Sequence, residues 1–165
     1  MDTLKLSDLI GQEIAGVRFC YSPENDDEYS VQSFYTYIKL NNNSIIDIPN
    51  DDDDEYVRLT PESQAYFQER FDNGKAISDE GAKCLIGQTI VDFLFCYEND
   101  ERDYERAAYI RLSNGYYFTE RNFAPMGIYV GIRVFDEQQF LEEKDRLADK
   151  SGITIRSFLE NRTVG

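Results

Sequence analysis

The sequence predicts an α+β fold: two pseudo-repeated three-stranded antiparallel β-meander units, each followed by a helix, packed as one globule. Three observations predict it. LIGQEIAGVRFCY at 9–21 returns as LIGQTIVDFLFCY at 85–97, identical at eight of thirteen positions without a gap. YIKLNNNSIID at 37–47 then corresponds to YIRLSNGYYFT at 109–119, across a connection four residues shorter in the second copy. Within these blocks apolar residues alternate at period two, and capped, helix-spaced stretches follow them. The chain therefore divides into repeats at 1–83 and 84–165, as one compact domain or two tightly packed halves. Edge-to-edge and face-to-face joining of the two sheets are both open on this pattern.

In 14–21, Val17, Phe19 and Tyr21 alternate with Arg18 and Cys20, which predicts a strand. An acidic loop follows at 22–28, then a second strand at 29–40, rich in β-branched and aromatic residues. Asn41-Asn42-Asn43 makes a tight turn of residues that tolerate positive φ, and a third strand at 44–49 stops at Pro49. The second unit reads the same way: strand 89–97, acidic loop 98–103, strand 104–112, turn 113–115, strand 116–121. Gly11 and Gly87 belong to the turns that launch the first strand of each unit, with a helical turn expected before each. One meander buries only one face, so it needs a cover. Thr60 caps a helix with Pro61 at its first position, running to about Asp72 and ended by Asn73-Gly74. After the second unit, 127–135 reads as a further strand, and Asp136 with Gln139 forms a capping box for a helix ending near Ser151-Gly152. The tail at 153–162 is apolar enough to dock as a strand or a helical turn.

The composition narrows function. Lys and Arg total 17 against 32 Asp and Glu, a net charge of −15. Such a surface repels nucleic acid and anionic membranes, and it speeds encounter with a basic protein. The acid is unequally shared: residues 1–83 carry 18 acids and 7 bases, net −11, and residues 84–165 carry 14 and 10, net −4. Histidine is absent, which removes the usual base near neutral pH, a Ser/His/Asp triad and the commonest neutral metal ligand. No phosphate loop, nucleophile elbow or zinc-protease motif occurs. Three cysteines, Cys20, Cys84 and Cys96, fit neither a disulfide framework nor a zinc ribbon; the first and last stand at equivalent positions and read as small buried hydrophobes. With no signal-peptide pattern and no long apolar run, the expected setting is cytoplasmic with reduced thiols.

The candidate site residues are acids with tyrosines beside them: Asp26, Asp27, Glu28 and Tyr29; Asp51, Asp52, Asp53, Asp54, Glu55 and Tyr56; and Asp100, Glu101, Asp103 and Tyr104. Tyr buries area while keeping a polar tip, and carboxylates pair with Lys and Arg of a partner. None of the acidic runs matches a calcium loop, which needs a glycine at its sixth position and a glutamate at its twelfth, so no metal or cofactor is expected. The expectation is a non-enzymatic, acidic protein-binding module of immunity or inhibitor type, which neutralises a basic effector such as a toxin or nuclease. The alternatives are a generic cytosolic interaction or regulatory protein and a carboxylate-based metal-dependent enzyme. An exposed strand edge also offers a route to a homodimer.

Overall fold

The computed structural model describes residues 5–21, 32–49, 61–103, 106–121, 123–124 and 131–160. Its class is α+β, with two antiparallel sheets. The first sheet contains β1 (Ile14–Tyr21), β2 (Gln32–Leu40), β3 (Ile45–Asp47) and β4 (Lys75–Ala76) in the order β3-β2-β1-β4. The second contains β5 (Ile90–Glu98), β6 (Glu101–Arg102), β7 (Tyr109–Leu112), β8 (Tyr117–Arg121), β10 (Gly131–Phe135) and β11 (Ile153–Ser157) in the order β10-β8-β7-β5-β11, with β6 folded onto β5. The short β9 (Phe123–Ala124) pairs with the start of β2. Three helices, α1 (Pro61–Asp72), α2 (Asp79–Leu85) and α3 (Glu137–Ser151), and a 3-10 turn at Leu6–Leu9 complete the described elements.

The two repeated segments clasp each other. The Gly11 amide donates to the Ile90 carbonyl and the Gly87 amide to the Ile14 carbonyl, both at 2.8 Å. Ile14 N–H donates to Gln88 and Ile90 N–H to Gln12, both at 2.9 Å, around a bridge between Glu13 and Thr89. Gly11 and Gly87 hold φ of +93° and +83°, a region that a side chain disfavours, which is why glycine precedes each strand. The register slips by one residue at the start of both first pairings, between Ile14 and Gly16 against β2 and between Ile90 and Asp92 against β7. Both hairpin turns close alike: Leu40 N–H donates to Ser44 and Leu112 N–H to Tyr116, each at 2.8 Å.

What fills the slip position differs. A Cβ on Gly16 would lie 3.0 Å from the Phe71 ring of α1. Asp92, at the matching place, instead accepts from the Phe93 amide at 2.8 Å, the Leu159 amide at 3.3 Å and the Ser157 hydroxyl, which holds residues 157–159 against β5. One apolar cluster runs through both sheets, from Leu9, Ile14 and Ile38 to Ile90, Phe93 and Phe118. Smaller clusters lie under α3 (Tyr109, Tyr117, Phe140, Leu147) and under α1 (Tyr37, Ile45, Phe71).

Helix α1 has the bounds expected from Pro61 and Asn73, and its last carbonyls are capped by Arg18, whose Nη1 donates to Phe71 at 3.1 Å and Asp72 at 3.2 Å. Helix α3 starts with the expected capping box and ends on Gly152 at φ +65°. Other expectations need correction. The single helical turn before Gly87 is a seven-residue helix, because Ser78 caps it by accepting from the Gly81 amide at 3.1 Å. The acidic loop at 98–103 is a hairpin: Asn99 and Asp100 both take positive φ, 54° and 65°, and let β6 return along β5. The strand expected at 104–112 is described only as Tyr109–Leu112. The tail at 153–162 divides its roles, with Ile153–Ser157 a strand on β5 and 158–160 a helical turn.

Candidate functional site

Of the expected partner-binding residues, Asp26, Asp27, Glu28, Tyr29, Asp51, Asp52, Asp53, Asp54, Glu55, Tyr56 and Tyr104 lie outside the described residues. Asp100, Glu101 and Asp103 sit together on the β5–β6 hairpin. Asp100 is 88 % exposed at the turn and pairs with Arg156. Asp103 pairs with Arg106 at 3.2 Å. Glu101 and its neighbour Glu98 stand exposed. The hairpin is therefore braced by the arginines around it. Arg102 donates to the Cys96 carbonyl at 2.7 Å and lies 4.5 Å over the Phe95 ring; Arg156 lies 4.5 Å over Tyr97.

The tyrosines expected beside the acids, Tyr29, Tyr56 and Tyr104, lie outside the described residues, and four other tyrosines of the strands turn inward. Tyr37, Tyr97, Tyr109 and Tyr117 are buried. Their strands point them at the covering helices or under arginine side chains. Tyr117 stacks on Phe140 at 3.9 Å and an interplanar angle of 2°. The Tyr109 hydroxyl donates to Glu143 at 3.3 Å, and Arg70 donates to the Tyr37 oxygen at 3.5 Å. Burial pushes the Tyr37 phenol up to about 12 and raises Tyr109 further. Among the described residues, two phenols are exposed, Tyr35 at 39 % and Tyr66 at 55 %. Cys20, opposite Tyr35 in register, borders a groove of about 310 Å³ with Glu69, Arg70, Asn73 and Lys75. Its thiol donates to the Arg70 carbonyl at 3.3 Å. The equivalent Cys96 is fully buried and pushed up to about 11 by loss of water, so the shared position carries two different environments.

Besides Asp92, sequence reasoning missed the buried Glu143 and Glu120 and the half-buried Asp47. Glu143 of α3 accepts from Arg133 at 2.9 Å, from Tyr109 and from Arg146. It borders a second groove of about 460 Å³ between α3 and β10. Its signal was its place between Phe140 and Leu147 on the apolar stripe. Glu120 of β8 is buried and accepts from the Thr36 amide at 2.7 Å. Asp47 of β3 lies near enough to act on its charge. Loss of water pushes Asp47 up to about 6 and Glu120 up to about 8. Asp47 stands between Ile46 and Ile48, and an acid inside an apolar strand is the available signal; Glu120 had none.

Among the described residues, no three His, Cys, Asp or Glu side chains converge to hold a metal ion, and no helix is long and apolar enough to cross a membrane. Compared with models of known families, with curated proteins and with solved structures, the chain matches none of them.

Proposed function

We propose that this chain is a non-enzymatic protein-binding module whose acidic surface captures a basic partner, as an immunity or inhibitor protein captures a basic toxin or nuclease. The observation that carries the reading is charge: −15 overall, with −11 in residues 1–83. A field of that size draws a cationic surface in and orients it before contact. Carboxylates then stand where the substrate phosphates of such an effector would lie. Solvent-facing Glu98, Asp100 and Glu101 and the exposed rings of Tyr35 and Tyr66 support the reading, because they supply both pairing groups and buriable area. The scaffold in this proposal is a duplicated meander-plus-helix unit whose two repeated segments pair with one another. The matched glycines, register slips and turn bonds support it.

The test is affinity capture from the source cell, followed by binding of the purified captured protein across a salt series. The expected result is a stoichiometric basic partner whose affinity falls roughly tenfold or more between about 0.05 and 0.3 M salt. Replacing Asp51, Asp52, Asp53 and Asp54 by Asn is expected to slow association more than it speeds dissociation. Salt-insensitive binding, or an acidic partner, would overturn the reading.

A further inference from the structure

Strand β10 ends the second sheet: among the described residues it pairs with β8 and with no other strand. An antiparallel strand turns the N–H and C=O of successive residues alternately to its two sides. The Tyr116 carbonyl accepts from Leu112 of β7, and Phe118 stands opposite Ile110. Tyr116 and Phe118 therefore face β7, while Tyr117, Thr119 and Arg121 face β10. Their register partners Phe135, Arg133 and Gly131 face back toward β8, and Ile132 and Val134 turn their N–H and C=O to the outer edge. Such an edge is a template for one more strand.

Beside this edge runs the groove of about 460 Å³ between β10 and α3. Arg133 and Arg146 line it with side chains 36 % and 47 % exposed, and both are held by Glu143, which is 4 % exposed. Glu143 engages Nη1 of Arg133, Nε and Nη2 of Arg146 and the Tyr109 hydroxyl. A guanidinium carries donors on all its nitrogens. Nε and Nη2 of Arg133 and Nη1 of Arg146 therefore keep donors for a ligand. The Arg133 guanidinium also lies 5.1 Å over the Phe135 ring, which fixes its place in the groove. Glu142, on the rim, is exposed and accepts from Gln138 at 3.3 Å. One buried carboxylate thus holds two cations at the same place, and the three groups together carry an excess positive charge.

We propose that the β10 edge and this groove bind an extended acidic segment of a partner protein, which adds a strand to β10 and places a carboxylate against Arg133 and Arg146. Backbone bonds to Ile132 and Val134 supply affinity, and the alternate side chains that turn toward α3 supply selectivity. Arg133 reaches Glu143 on the α3 side of β10, so the residue that the added strand sets beside it projects to that side too. A carboxylate there meets planar donors that match its geometry. A second copy of this chain fits the edge less well. Antiparallel pairing of β10 with itself about its centre sets Arg133 opposite Arg133 and brings together two chains of charge −15. The inference stands apart from the basic-partner proposal, since it uses a different surface and the opposite charge.

The test titrates the full chain with a blocked heptapeptide of alternating Val and Glu, and with its Gln counterpart, followed by amide shifts in nuclear magnetic resonance. The expected result is binding of the Glu peptide with shifts at Ile132 and Val134, and binding of the Gln peptide weaker by about tenfold or more. Arg146→Gln, a change at a half-exposed side chain, is expected to remove that preference. Val134→Pro takes away an outward N–H at a sheet edge, where proline is tolerated, and is expected to abolish binding. Should that variant fail to fold, the wild type answers the same question with peptides N-methylated at alternate residues: methylation in one register is expected to abolish binding and in the other to spare it. Equal affinity for the Glu and Gln peptides, a preference that survives Arg146→Gln, indifference to methylation in both registers, or no binding at about 1 mM peptide overturns the proposal. So does a concentration-dependent dimer whose shifts map to Ile132 and Val134, which would give the edge to a second copy.

Discussion

Replacing Gly11 or Gly87 by Ala separates backbone strain from packing in the clasp between the two repeated segments. Neither position has an atom within 4 Å of an added Cβ, so packing contributes nothing. What remains is conformational: φ of +93° and +83° costs a residue with a Cβ about 1–2 kcal/mol. Each amide also donates across the clasp at 2.8 Å, and a backbone that relaxes to escape the strain forfeits about 1 kcal/mol of hydrogen bonding. Each substitution is therefore expected to cost about 1–2 kcal/mol, with the two costs close to each other. Urea unfolding followed by far-ultraviolet circular dichroism reads this directly, provided the transition is two-state. The double variant should depart from additivity, because the two segments share one set of bonds. Gly16→Ala is the control: its Cβ would meet the Phe71 ring at 3.0 Å, so its cost comes from crowding and is eased by Phe71→Leu. A neutral Gly11→Ala beside a costly Gly87→Ala would refute the reasoning, since a mutual clasp strains both strands alike.

Glu143→Ala strands the buried Tyr109 hydroxyl and frees Arg133 and Arg146, which are 36 % and 47 % exposed; the expected loss is about 2–3 kcal/mol, below that of a fully buried pair, and one under about 0.5 kcal/mol in urea unfolding would mean the cluster is already solvated. Alkylation with iodoacetamide at pH 8, read by peptide mass spectrometry, is expected to label Cys20 at least ~100-fold faster than Cys96, which lacks both access and thiolate; equal rates in the folded protein would contradict the burial assigned to Cys96. Gln64 donates to the Ile45 carbonyl at 2.9 Å and accepts from its amide at 3.1 Å, covering part of the β3 edge. Gln64→Ala is expected to cost about 1–2 kcal/mol and to promote concentration-dependent association, measured by light scattering; a monomeric, equally stable variant would show that this edge is guarded by something else.

The features legible in the sequence were those set by neighbours along the chain. Pro61 at a first helical position and Asp136 with Gln139 in a capping box placed α1 and α3, because those signals act within one turn. The Asn43 and Gly115 turns were readable for the same reason: positive φ, 70° and 86°, selects the residue locally. The misreadings share a cause. The acidic stretch at 98–103 was read by composition as a loop, while Asn99 and Asp100 turn it into a hairpin that Arg102 and Arg156 brace. The inward turn of Tyr109 and Tyr117 had no local signal for the same reason, because Phe135 of β10 and Phe140 of α3, more than twenty residues along the chain, close over them.

By itself, then, the sequence determined the alternating strands, their turns, the capped helices and the large negative charge, all properties of composition or of residues a few positions apart. Only the tertiary structure decided that Gly11 and Gly87 lock their segments together, that Cys20 faces a groove while Cys96 is sealed, and that Glu120 reaches across 84 residues of chain to hold Thr36. Burial, and with it the cost of a charge, depends on which distant residues exclude water from a side chain, and no local pattern encodes that.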